Sequence, residues 1–150
     1  MTGLFRKSLV VMLFLLQAAL SAAAKDAAVV VGKTSNLTIV HTADLAKIFK
    51  TLPPKWPDGR EIILVVKGVN SSEAAAVATK LLGQTADFLA GANGKMRVVV
   101  VASDADVIKT VSSLPNSIGI VDIYSITGAV NVVKVDGKLP LEPGYALHYN

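Results

Sequence analysis

The segment Ile62-Ile63-Leu64-Val65-Val66-Lys67-Gly68-Val69-Asn70-Ser71-Ser72-Glu73 passes from an unbroken apolar run into a polar cluster. The run over 62–66 is continuous and rich in β-branched residues, the pattern of a strand covered on both faces. The cluster reads as a helix start. Asn70 can accept a hydrogen bond from the first turn, and Glu73, three residues on, can reach back to close a capping box. The helix this predicts spans 71–82 and stops at Gly83. A buried strand followed directly by a helix is the repeating unit of a layered α/β domain.

Working outward, three more continuous runs have the same character: Ala27-Ala28-Val29-Val30-Val31, Val98–Val101 and Ile118-Gly119-Ile120-Val121. A fifth, Val130–Val135, alternates more and ends at Asp136-Gly137, a turn signal. Helices are expected between them. Thr42 is placed to cap a helix over 43–50, where Leu45, Ile48 and Phe49 share one face. A short helix over 85–90 would close at Gly91. Ser103 is placed to cap one over 104–113, with Asp104 and Asp106 complementing the positive end of its dipole. The expected fold class is therefore α/β, three layers, a mainly parallel sheet flanked by helices.

The amino-terminal residues read differently. Arg6-Lys7 precede an apolar stretch from Leu9 to Leu20, and Ser21-Ala22-Ala23-Ala24 follows. A positive start, an apolar core and a small-residue end make a secretory signal peptide over 1–24, cleaved after Ala24, and 25–150 a single domain. The run falls short of the ~20 apolar residues of a spanning helix, so stable membrane insertion after cleavage is not expected, and a periplasmic or secreted location is. With Arg6 and Lys7 gone, 13 basic residues face 11 acidic ones. The sequence pI near 9.4 thus carries no basic cluster of the kind that neutralises nucleic-acid phosphates. With no cysteine among 150 residues, disulfides, zinc–thiolate sites and cysteine nucleophiles are excluded.

Catalytic constellations are hard to assemble. His41 and His148 are the two histidines, and no Gly-x-Ser-x-Gly elbow accompanies them. Asp104-Ala105-Asp106 fits a helix start better than a metal site, and Gly91-Ala92-Asn93-Gly94-Lys95 lacks the spacing of a phosphate loop. The chain is expected to be a non-enzyme without cofactor or metal. The piece with chemical potential is Lys67 to Glu73, at the edge where open α/β sheets gather ligands. Unpaired N–H groups at a helix start attract anions, and Lys67, Asn70, Ser71 and Ser72 are the candidate oxyanion contacts. The alternative reading is that Asn70 and Glu73 simply cap the helix, with Lys67 in solvent.

Several fragments, in order, resemble the phosphate-binding proteins of bacterial ABC importers, a branch of the type II periplasmic binding proteins. Leu45-Ala46-Lys47-Ile48-Phe49 followed by Trp56-Pro57-Asp58-Gly59 is similar to that family's helix and Trp-x-Asp-Gly turn. Pro115-Asn116-Ser117-Ile118-Gly119 resembles its Pro-Gly-x-Ile-Gly strand start. Asp136-Gly137-Lys138-Leu139-Pro140 and Tyr145-Ala146-Leu147 resemble its closing motifs. The resemblance implies one lobe of such a protein, with inorganic phosphate or another oxyanion as ligand. Two departures temper that implication. The family traps its ion between two lobes, and only one has a counterpart here. Its anion loop reads Arg-x-Asp-x-Ser-Gly-Thr, whereas Lys67 takes the Arg position, Ser71 keeps the Ser, Ser72 replaces Gly and Glu73 replaces Thr. An open half-site would bind weakly unless a homodimer completes it. The competing expectation is a ligand-free single-lobe interaction module that meets a protein partner in the cell envelope.

Overall fold

The structure is a computed structural model that describes residues 25–50, 53–56, 58–68 and 97–149. The leader over 1–24, the helices expected over 71–82 and 85–90, and Asn70, Ser71, Ser72 and Glu73 lie outside the described residues. Each of the five apolar runs is a strand: β1 (Lys25–Gly32), β3 (Ile63–Lys67), β4 (Val98–Val101), β5 (Ser117–Asp122) and β6 (Val130–Val135). With two short strands, β2 (Ile39–Val40) and β7 (His148–Tyr149), the described residues form a seven-stranded sheet. Helices α1 (Thr42–Lys50) and α2 (Asp104–Ser113) accompany it.

The strand order is β2-β6-β1-β5-β3-β4, with β7 paired to the start of β1. Neighbours β3/β4, β3/β5 and β2/β6 are parallel. β1 is antiparallel to β5, β6 and β7, so among the described strands it alone runs against the others. Its sequence looked like a parallel strand because it is central and buried on both faces. Burial dictates apolarity, and direction leaves no mark on it.

The two faces of β1 split the core by the two-residue period of a strand. Ala27, Val29 and Val31 pack with Leu45 and Ile48 of α1 and with Tyr145 and Leu147 from the carboxyl-terminal segment. Ala28 and Val30 pack with Val107, Ile108 and Val111 of α2. The helices therefore lie on opposite faces, giving three layers. The side chain of Phe49, expected beside Leu45 and Ile48, lies outside the described residues. At Gly119 on β5 the backbone of the sheet and α2 approach so closely that an added Cβ would stand 2.7 Å from Val107 Cγ1.

Turn and cap chemistry mostly follows the sequence. Asp136 and Gly137 both have positive φ, 51° and 80°, as a two-residue hairpin turn requires. The Ser103 hydroxyl accepts from Asp106 N–H at 3.2 Å, capping α2. Thr42 differs. It is the first residue of α1, and its N–H donates 3.0 Å to Asp136 Oδ1, with its hydroxyl donating to Asp136 Oδ2. The cap of this helix comes from a residue 94 positions away.

Candidate functional site

The carboxyl ends of β2, β3, β4, β5 and β6, together with the start of β1, form one edge of the sheet. Lys67 ends β3 there, and Gly68 N–H donates 2.9 Å to Val101 O, holding β3 to β4 where the chain leaves the sheet. The Lys67 ammonium lies 2.9 Å from Asp104 Oδ1 at the start of α2, with side chains 17% and 12% exposed. The other Asp104 oxygen accepts from Ser125 Oγ at 2.7 Å. Lys67 thus lies in a mostly buried ion pair and not out in solvent.

Three further carboxylates stand along the same edge. Asp122, ending β5, accepts from Tyr124 N–H and from the Tyr149 hydroxyl, both at 2.8 Å. Asp26, near the start of β1, is 4% exposed; it meets His148 Nδ1 at 2.6 Å and accepts from Leu141 N–H. Asp136 holds Thr42 and lies 3.5 Å from His41 Nδ1. Each carboxylate ties together segments far apart in sequence or caps a short turn. They also make the edge acidic, which opposes anion capture by charge alone.

The Thr42 hydroxyl and then its N–H hold the Asp136 carboxyl below its ordinary range. A depressed carboxylate pKa adds stability that is present above the unfolded-state value, near 4, and is lost as pH falls through the folded-state value. Asp136→Gly, which accepts the left-handed backbone, is expected to cost roughly 0.5–1 kcal/mol near neutrality, the usual worth of a helix cap. It should also flatten the acid limb of the stability–pH curve below about pH 4, as read by urea unfolding across pH.

Of the candidate residues, Lys67 is at the edge as expected; Asn70, Ser71 and Ser72 lie outside the described residues. His41 and His148 are both spoken for by aspartates at this edge. Among the described residues, no three His, Asp or Glu side chains stand close enough to hold a metal ion. Asp26 and Asp122 escaped sequence reasoning because each is a single acid at the border of an apolar run, with nothing local to mark its partner.

At the opposite edge, the turn after α1 is closed by Trp56 N–H to Arg60 O at 2.8 Å and Gly59 N–H to Trp56 O at 2.9 Å. Gly59 has φ +87°, the conformation that glycine supplies there. Trp56 packs against the larger core.

No protein-family model matches the sequence, and no curated protein matches it either. Solved structures do match in fold. A phosphate transport receptor from Vibrio cholerae superposes with a TM-score of 0.70 at 17% identity, over 85% of this chain and 55% of that one. The chain shares its fold with part of that receptor. PstS from Borrelia burgdorferi gives 0.65 at 19% identity, over 85% of this chain and 56% of its own. A phosphate-binding protein from Stenotrophomonas maltophilia gives 0.59 at 18%, over 78% and 40%. The chain spans about half the length of the first two receptors it matches. Among the described strands, β1 is the single reversed one amid parallel neighbours, and β3 ends at the carboxyl edge with Lys67. Among the described residues, no helix is long and apolar enough to cross a membrane.

Proposed function

We propose that this chain is an exported solute-binding domain of the phosphate-receptor type, binding an oxyanion weakly at the loop that follows β3. In this reading the leader over 1–24 is removed and residues 25–150 do the work outside the cytoplasm. The observation that carries it is the position of Lys67. It ends a buried strand, at the ligand edge of a receptor-lobe fold, where the related receptors' motif has arginine, and Asn70, Ser71 and Ser72 follow it.

Asp104 sets the strength of such a site. An incoming phosphate competes with that carboxylate for the Lys67 ammonium, and an ammonium lacks the two-pronged fork of a guanidinium. With that competition the dissociation constant is expected at about 1 mM or weaker, near −4 kcal/mol. Calorimetric titration of the protein with phosphate and with sulfate tests this. Asp104→Asn keeps the hydrogen bond to Ser125 but removes the competing charge, and should tighten binding about tenfold. Absence of saturable binding in both proteins would sink the oxyanion reading.

A second reading is favoured by the acidic edge itself. With Lys67 paired to Asp104 and with Asp26, Asp122 and Asp136 along the same edge, the edge suits a ligand-free module whose partner is another protein or a second copy. Tyr124, 75% exposed, and Leu141, 64% exposed, stand on that edge as contact candidates. Light scattering across concentration, with and without phosphate, separates the two. Association indifferent to phosphate favours the module.

A further inference from the structure

A cavity of about 600 Å³ opens at the edge opposite Lys67, between the end of β1, the end of α2 and the Trp56–Arg60 turn. β5 spans six residues, so the two edges are separated by roughly 20 Å at about 3.3 Å per residue. Nothing that binds at one edge touches the other. The volume lies within the ordinary range of small-ligand sites, about 300–1,000 Å³.

The walls define the chemistry. Arg60 is the charged lining residue, and its Nε already donates to Asp58 Oδ2 at 2.7 Å. That pairing offsets the Arg60 charge, while the other N–H groups of the guanidinium are further hydrogen-bond donors. Ser112 donates to Lys109 O at 2.8 Å and Ser117 to Leu114 O at 2.7 Å. A hydroxyl that donates inward keeps its lone pairs for outside donors. Asn36 and Asn116 also line the cavity, and neither side chain makes a hydrogen bond among the described residues. Each amide offers two donors and an acceptor. Asn116 is held in place, because its φ is 58° and its carbonyl accepts from Ile63 N–H at 2.9 Å. Trp56 adds an aromatic wall with an indole N–H, apolar over most of its area and polar at one point.

We infer that this cavity is a binding site for a neutral polyhydroxylated ligand, a saccharide of one or two rings. The C–H faces of a sugar pack on the indole, its hydroxyls donate to the serine oxygens, and the two asparagine amides bridge adjacent hydroxyls. The site is independent of the oxyanion reading.

Trp56 is the single tryptophan of the chain, so emission excited beyond the tyrosine absorption band reports the surroundings of Trp56. The test titrates the protein with glucose, N-acetylglucosamine and maltose, and separately with phosphate. The expected result is a saturable change in emission with at least one saccharide and none with phosphate. Asn36→Ala combined with Asn116→Gly should weaken it about tenfold or more. Glycine at 116 removes the amide while accepting the left-handed backbone, and circular dichroism confirms that the variant is folded. Strictly linear emission changes with all three sugars overturn the inference, as does saturation that the double variant leaves unaltered. Saturation by phosphate alone overturns the neutral-ligand assignment.

Discussion

Gly119→Ala lowers the thermal unfolding midpoint by roughly 3–6 °C, and Gly119→Val lowers it further still. The new Cβ would stand 2.7 Å from Val107 Cγ1 and 2.8 Å from Val111 Cγ2, both distances inside van der Waals contact. Those valines are 0% and 1% exposed and have no room to turn away. Relief must come from α2 lifting off the sheet, which loosens the packing of Val30 beneath it. Overpacking of this kind costs about 1–3 kcal/mol. Removing a glycine returns up to about 1 kcal/mol through the unfolded chain, leaving a net loss of roughly 1–2 kcal/mol for alanine. Val107→Ala in the Gly119→Ala background should recover part of that loss, because the methyl it clashes with is gone. Additive losses in the double variant would show that α2 rides higher on the sheet than these distances state.

How the fold could be read from residues alone follows from which forces act locally. The five long strands announced themselves because two-sided burial demands consecutive apolar residues, and the Asp136-Gly137 turn because a two-residue hairpin needs positive φ twice. The direction of β1 did not, since hydrogen-bond direction does not alter which side chains are buried. β2 and β7 are two residues each, too short for any period to register. The cap of α1 was misassigned to Thr42 for a related reason. Short-range preference favours a threonine at a helix start, whereas the donors there find a carboxylate brought in by tertiary structure from 94 positions away.

The candidate edge divides along the same line. That Lys67 ends a buried strand was legible because the continuous apolar run stops there. Its partner was not. Asp104 reads from sequence as a helix-start acid facing the dipole, and it holds that position, but the topology β5-β3-β4 also sets it against the end of β3. The amino edge shows the converse. Trp56 packs against the core beside its turn, and the cavity there exists only once α2, β1 and that turn are brought together.

Lys67→Met is the variant expected to separate structure from function at this edge. Removing the ammonium leaves the Asp104 carboxylate, 12% exposed, without the cation 2.9 Å away. Breaking a fully buried pair in this way costs about 3–5 kcal/mol; partial access to water here brings the expectation down to roughly 2–3 kcal/mol. Asp104→Asn alone should cost less, about 1 kcal/mol, since the lysine stem can extend and carry its charge to water. In the double variant Lys67→Met with Asp104→Asn, no buried charge remains, and most of the loss should be recovered. Urea unfolding at neutral pH measures all three, and added salt should change the differences little, because the pair is largely shielded from bulk ions. If Lys67→Met costs no more than an ordinary surface substitution, about 0.5 kcal/mol, the ammonium is not structural. It would then be available to a ligand without opposition, and phosphate affinity should be insensitive to Asp104→Asn. A large loss repaired by the second substitution ties Lys67 to the scaffold, and any anion bound here then has to displace Asp104.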